Sequence, residues 1–253
     1  MNIIHAIILG IVEGLLEFLP VSAAGNLTLV GRLLSIPSSD FIKIYEIVMQ
    51  LGAVIAVLIL YAKRLLVDHE TVKKVIVAFI PTGIIGLLVY KIVKNFLLYN
   101  DTITVFSLII GGIIILLVEY KKIKPFTLNI SNISYKQAIA IGFIQTLAFI
   151  PGVSRSGATI VGAMLLGIER KAAVEFSFLL AIPTILAAGS YALLKDHSAL
   201  TGPNLLPMAV SFITALIFAI ISVKTFLKFI STNNLKPFGF YRIIVGVLYS
   251  VFR

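Results

Sequence analysis

Long uninterrupted apolar runs, rather than an alternation of apolar and polar residues, dominate this chain. Six stretches, roughly 44–62, 73–92, 103–119, 174–194, 205–227 and 238–252, are apolar over lengths approaching the ~20 residues a helix needs to cross a bilayer's hydrocarbon. Two further regions, roughly 2–36 and 134–168, are apolar but broken. The first is interrupted at Pro20-Val21-Ser22-Ala23-Ala24-Gly25, the second at Pro151-Gly152-Val153-Ser154-Arg155-Ser156-Gly157. Opened backbone at membrane depth is tolerated only where protein or a wet cavity surrounds it, so each broken region is predicted to be a re-entrant hairpin of two half-length helices. The expected fold is an all-α polytopic membrane protein with six spanning helices and two opposed re-entrant hairpins.

The broken regions resemble each other. Sliding the first by 132 residues pairs Gly10 with Gly142, Leu15 with Leu147, Val21 with Val153, Ser22 with Ser154 and Gly25 with Gly157. Apolar matches arise readily in so apolar a chain, so the glycines and the shared Val-Ser-x-x-Gly carry the weight. This predicts one transmembrane domain, 1–253, made of repeats near 1–120 and 130–253. If the repeats are inverted, the site lies near the midplane, where the broken helices meet.

Composition strengthens this picture. A mean hydropathy of +1.08, with 59% hydrophobic and 13% charged residues, leaves too little polar surface for a water-soluble domain of this length. The net charge of +10 falls mostly in short loops between apolar runs, where it orients helices and meets anionic headgroups; nucleic acid is not an expected partner. With both breaks re-entrant, one face holds thirteen basic residues, including Lys63, Arg64, Lys121, Lys122, Lys124, Arg170 and Lys236. The other holds Arg32, Lys43, Lys91, Lys94, Lys195 and Arg253. The richer face is expected to be cytoplasmic, with both termini outside. The N-terminal run lacks a basic start and a small-residue cleavage site and carries Glu13 and Glu17, so it is not read as a signal peptide. There is no cysteine, which excludes disulfides and thiolate metal sites.

Glu13 and Glu17 are four residues apart and share a helix face. Two carboxylates inside an apolar segment repel each other unless a cation or a proton is shared between them. They could hold Mg²⁺ or Ca²⁺ through oxygen, or pair with Arg155 or Arg242 for folding alone. Arg155 stands at the tip of the second break beside Ser154, Ser156, Gly157 and Thr159, suited to bidentate phosphate recognition or to an ion pair. The helix that follows adds free N–H groups. Together these residues describe a site for a divalent cation and a phosphate ester approached from the membrane. Glu46 and Gln50 either border this cavity or sit at a helix end. Tyr241 and Arg242 are read equally as site residues or as an interfacial anchor. His5, His69 and His197 fall at the terminus or in loops and form no metal cluster.

The motifs Gly10-Ile-Val-Glu13-Gly-Leu-Leu-Glu17-Phe-Leu-Pro20-Val-Ser22, Glu46-Ile-Val-Met-Gln50-Leu-Gly52-Ala, Pro151-Gly-Val-Ser-Arg155-Ser-Gly-Ala-Thr159 and Glu175-Phe-Ser-Phe-Leu-Leu-Ala-Ile-Pro183 resemble the undecaprenyl-diphosphate phosphatase family over nearly the whole chain. The resemblance implies a bacterial inner-membrane enzyme that removes one phosphate from a polyprenyl diphosphate and so returns the lipid carrier to cell-wall synthesis. It also implies an inverted repeat with two facing hairpins. Carried over residue by residue, Glu13, Glu17, Ser154, Arg155, Ser156 and Thr159 are intact; with Ser22, which keeps one hydroxyl at the tip, Glu13, Glu17 and Arg155 are the catalytic candidates. Ser154, Arg155, Ser156, Gly157, Thr159, Gly25 and Asn26 are the substrate-binding ones, and Glu13 and Glu17 the metal ligands. The pattern departs after Pro-Val-Ser, where the family's Ser-Thr-Gly-His is replaced by Ala23-Ala24-Gly25-Asn26. Alanine cannot attack phosphorus and an amide does not exchange a proton near neutral pH, so a protein that binds or moves the lipid phosphate without cleaving it is the alternative. A second copy of the chain is a further candidate partner.

Overall fold

The computed structural model describes residues 2–36, 40–93, 97, 100–195 and 205–252, the side chains of 40–43 and 252 excepted. Lys94, His197, Arg253 and the side chain of Lys43 therefore lie outside the described residues. Among these the chain forms ten α-helices and no strand: α1 Ile3–Leu16, α2 Ala23–Leu33, α3 Asp40–Val67, α4 His69–Ile92, α5 Asp101–Lys121, α6 Tyr135–Gln145, α7 Arg155–Leu165, α8 Arg170–Lys195, α9 Leu205–Ile230 and α10 Lys236–Phe252. Polar side chains fix the helix starts. Asn2, Asp68, Asn100 and Ser134 each accept a hydrogen bond from a first-turn amide, and Gln137 completes a capping box with Ser134. His69, expected in a loop, opens α4 behind the Asp68 cap.

Five helices, α3 from Ile44 onward, α4, α5, α8 and α9, are long and apolar enough to cross a membrane. They coincide with five of the expected spans. The sixth expected span is α10, whose 17 residues reach ~25 Å, a little short of the ~30 Å hydrocarbon. The burial pattern is that of a molecule in lipid. Ile76, Ile80, Ile84, Leu87 and Leu88 on α4 are exposed, while Glu13, Gln145 and Arg242 are buried.

The two short helix pairs sit where the sequence breaks. Adding 132 to the bounds of α2, 23–33, gives 155–165, the bounds of α7; adding it to the start of α1 gives 135, the start of α6. Contacts between the halves are crossed in the same way. Helix α1 packs on α9 and α6 packs on α4, while α3 meets α8 and α5 meets α10, its own counterpart in each case. Both crossed contacts depend on a glycine at the paired positions 10 and 142. A Cβ at Gly10 would lie 2.8 Å from the Ser211 carbonyl oxygen, and one at Gly142 would overlap the Ala78 carbonyl. Thr82 Oγ1 then donates to the Gly142 carbonyl at 2.9 Å, and Ser222 Oγ to the Leu15 carbonyl at 2.7 Å.

The link between the halves is pinned to the base of the second helix pair. Phe126 and Thr127 amides both donate to Gly167 O, and the Glu169 amide donates back to Thr127 O. Phe18, Phe178, Phe226 and Phe238, in contact largely edge to face at 5.2–6.1 Å, join the first break to α8, α9 and α10.

Candidate active site

The first break starts as α1 ends at Leu16, with Glu17 as its C-cap. Pro20 cannot donate a hydrogen bond, and Ser22 takes φ 66°, which turns the chain so that α2 begins at Ala23. The second break has the same build. A 3₁₀ turn over Thr146–Phe149 leads into Pro151, Gly152 at φ 87° and Ser154 at φ 72°, and α7 begins at Arg155. Ser154 Oγ accepts from the Gly157 amide at 3.1 Å, whereas Ser22 makes no side-chain cap bond.

The tips meet. Arg155 reaches across to Glu17, Nη2 to Oε1 at 3.3 Å, and its Nη1 donates to Ser177 O at 3.2 Å. The guanidinium carbon lies 5.8 Å from the centre of the Phe18 ring. Ser156 Oγ donates to Leu19 O of the first break at 2.7 Å. Thr159 and Ser177 share a hydroxyl contact at 2.6 Å that fixes α7 on α8.

Within this arrangement some polar atoms are left without partners. Neither carboxylate oxygen of Glu13 has a hydrogen-bond partner, nor does Arg155 Nε, and all three are shut off from solvent. Glu13 is fully buried one helical turn from Glu17, with Glu17, Glu46 and Arg155 the charges that act on it. Buried polar atoms are nearly always paired, so these orphaned atoms make the meeting of the tips a candidate ligand site. Among the described residues no three His, Asp or Glu side chains cluster as a metal cage. Two carboxylates with substrate oxygens and water completing the shell are nonetheless the habit of Mg²⁺, and the orphaned oxygens of Glu13 fit it.

Of the residues singled out in the sequence, Glu13, Glu17, Arg155, Ser154 and Ser156 are gathered at the meeting of the tips. Glu17, not Glu13, takes the ion pair with Arg155. Gly25 is buried in the first turn of α2. Gly157 receives the Ser154 cap, and Thr159 turns its hydroxyl towards Arg155 O and Ser177. Asn26 is fully engaged by protein: its Nδ2 donates to Val21 O and Ser22 O, and its Oδ1 accepts from Tyr241 at 2.6 Å. Glu46 and Gln50 are not at a helix end but lie within α3.

Arg242 differs most from expectation. It is neither an interfacial anchor nor a partner of the carboxylates but a buried guanidinium surrounded by main-chain carbonyls. A charge alone in the apolar run 238–252 is the one sequence signal for it.

Residues 6–248 match the family described as Bacitracin resistance protein BacA. A Wolinella succinogenes protein named undecaprenyl-diphosphatase is 53% identical over 251 residues, covering 98% of this chain and 97% of that one. Proteins of the same name from Aquifex aeolicus and Persephonella marina are 48% and 47% identical, over 98% and 100% of this chain and 97% and 99% of theirs. The chain belongs to the BacA family. As a BacA-family member with several long apolar helices, it is a multi-pass membrane protein. The three departures in its first break acquire positions in the fold: Ala23 is the buried first residue of α2, Ala24 beside it is exposed, and Asn26 ties α2 to Tyr241 on α10.

Proposed function

We propose that this chain hydrolyses a polyprenyl diphosphate to the monophosphate, recycling the lipid carrier of cell-wall synthesis. The observation that carries this reading is the unpartnered, buried carboxylate of Glu13 set beside Glu17 and Arg155 where two broken helices meet. Arg155 clamps oxygens of the terminal phosphate, helped by Ser154 and Ser156, while Gly157 and Thr159, held by Ser154 and Ser177, fix the start of α7 that borders it. Gly25 and Asn26 border the other side. Glu13 and Glu17 would hold a divalent cation; when bound, it neutralises phosphoryl charge. A water oxygen bonds to the terminal phosphorus, its proton passes to one of the carboxylates, and the bond from phosphorus to the bridging oxygen breaks. Inorganic phosphate leaves and the bridging oxygen stays with the lipid monophosphate. Ser22, whose hydroxyl makes no cap bond, is the alternative attacking group.

The architecture that serves this reading is an inverted repeat. The α1–α2 and α6–α7 pairs are re-entrant, since an 11-residue helix rises only ~17 Å. Each half then contributes three crossing helices, with α10 as the sixth, and an odd number of crossings turns the second half upside down. The basic face is cytoplasmic in the bacterial plasma membrane, with both termini outside. In this Cys-free chain, an impermeant thiol reagent should label Lys122→Cys only after cells are opened; labelling of intact cells would overturn the orientation.

The decisive assay is phosphate release from a polyprenyl diphosphate by purified protein, with and without Mg²⁺. Release that depends on the cation supports the reading. The saturated amide of Asn26 and the missing hydroxyl at Ala23 favour a second one, in which the lipid phosphate is bound or moved and not cleaved. Tight lipid binding with no phosphate release would establish it.

A further inference from the structure

Arg242, on α10, heads the fully buried side chains by volume and is 1% exposed. A guanidinium has five N–H donors, and here every one meets a main-chain carbonyl. Nε donates to Leu108 O at 3.3 Å, Nη1 to Pro20 O at 3.3 Å and Val153 O at 2.9 Å, and Nη2 to Ser107 O at 2.9 Å and Gly152 O at 2.8 Å. Pro20 is in the first break, Gly152 and Val153 are in the second, and Ser107 and Leu108 lie on α5. Among the described residues, no carboxylate forms an ion pair with it.

An unpaired buried cation is expensive, by several kcal/mol after relaxation. What compensates here is the need of the breaks themselves. A chain opened at membrane depth exposes carbonyls that no helix satisfies, and water is not at hand to satisfy them. The planar fork of one arginine satisfies three such carbonyls at once, and these come from both tips. Gly111 on α5 leaves the room for it, since a Cβ there would overlap the guanidinium. With all five donors engaged by protein, Arg242 has none left for a substrate.

We infer that Arg242 is a positioning residue that bridges the two breaks and thereby sets the approach of Arg155 to Glu17. Both act from segments flanking the bridged carbonyls: Glu17 is three residues before Pro20, and Arg155 two after Val153. Lysine, with three donors on a flexible stem, cannot reproduce a planar contact with five carbonyls. The geometric part of this inference stands by itself, and only its kinetic consequence rests on the phosphatase reading.

The test is amide hydrogen exchange on the full-length protein in detergent, comparing Arg242→Lys with the unmodified chain. Exchange in segments 17–22 and 150–154 should accelerate together, by about tenfold or more for the loss of ~1.4 kcal/mol of local protection, with α8 and α9 unchanged. Protection of the two tips unchanged from that of the unmodified chain, acceleration at one tip only, or acceleration spread evenly over the molecule would overturn the inference. If Arg242→Lys does not fold, Gly111→Ala displaces the guanidinium while keeping its charge, and the same two outcomes decide. In the kinetic arm, polyprenyl diphosphate hydrolysis should show a raised KM together with a lower kcat, of about a hundredfold combined, the scale on which a ~1 Å misplacement acts. A fall in kcat alone, in proportion to the folded fraction, would reduce Arg242 to a folding role and overturn positioning. If the unmodified protein releases no phosphate, the phosphatase reading fails, and the exchange measurement still decides the role of Arg242.

Discussion

At the first break Ser22 sits at φ 66° and opens α2; 132 residues later Ser154 sits at φ 72° and opens α7. The backbone device is shared, but the side chains hung on it are not. Glu13 corresponds to Gln145, Glu17 to Phe149, Ala23 to Arg155 and Asn26 to Ala158. The first break supplies acid and the second supplies the guanidinium. Their counterparts are neutral: Gln145 donates to the hydroxyls of Thr82 and Thr184 and holds α6 to its neighbours. Had both breaks carried both charges, each would have neutralised itself. Dividing them means that the charges meet only when the tips meet, which ties the chemistry to the packing of the two halves.

The largest effect expected from this division comes from restoring what the first break lacks. Ala23→Ser with Asn26→His should raise phosphate release by about a hundred- to ten-thousand-fold, the usual yield of a positioned proton-transfer group. Lipid affinity should change far less, because these groups act mainly in the transition state. Each change alone should gain little, since a hydroxyl and its proton acceptor work as a unit. The imidazole cannot replace both amide donors of Asn26 to Val21 O and Ser22 O, so the double variant should also lose about 1–3 kcal/mol of stability. A folded, lipid-binding double variant without any gain would move the non-hydrolytic reading ahead.

Next in size is Glu13→Gln, which gives the first break the residue of the second. If the carboxylate is needed for the cation and the proton, phosphate release should fall by about a hundred- to a thousandfold, comparable to removing one transition-state stabiliser. Thermal stability should hold or rise, since the change replaces a buried carboxyl whose oxygens have no hydrogen-bond partner with a neutral amide of the same shape. A variant with undiminished, Mg²⁺-dependent turnover would show that Glu17 suffices and that the orphaned oxygens of Glu13 serve another purpose.

Much of this could be read from the residues alone, for definite reasons. Apolar run length reports membrane thickness, so the six expected spans overlap α3, α4, α5, α8, α9 and α10. It does not report helix length: α3 runs on through Lys63 and Arg64 to Val67, where the polar turn is helical but no longer apolar. The breaks were visible because Pro, Gly and Ser interrupt an otherwise apolar pattern, and Glu17 and Arg155 because isolated charges there are costly. Arg242 is legible in the sequence as a charge but not as a bridge, because its partners are carbonyls, which every residue possesses and no side-chain pattern marks. The Asn26–Tyr241 contact spans 215 residues and was hidden for a similar reason. The pinning of residues 126–127 to Gly167 is main chain to main chain and left no trace in the sequence.

A smaller effect tests whether the two halves are built alike beneath their different chemistry. Gly10→Ala should force α1 off α9 at the Ser211 carbonyl, and Gly142→Ala should force α6 off α4 at the Ala78 carbonyl. Each should destabilise the detergent-solubilised protein by about 1–3 kcal/mol, the range of overpacking, read as a lowered midpoint of thermal aggregation. Gly142→Ala should be the worse of the two, because its Cβ would lie deeper in the neighbouring main chain. Equal midpoints for both variants and the unmodified protein would mean that the crossed contacts yield easily.

The smallest effect separates the two serines. Ser154→Ala removes the acceptor for the Gly157 amide at the start of α7, a cap worth about 1 kcal/mol, and leaves that amide without a partner. Ser22→Ala removes no cap, and alanine and serine are about equally disfavoured at positive φ, so stability should stay within about 0.5 kcal/mol of the unmodified protein. Turnover should order the pair independently. If Ser22 attacks phosphorus, Ser22→Ala abolishes phosphate release while melting unchanged; if water attacks, Ser22→Ala retains most of it. A Ser22→Ala variant that loses as much stability as Ser154→Ala would show that the Ser22 hydroxyl caps α2 after all, and that the first break is as structurally committed at its serine as the second.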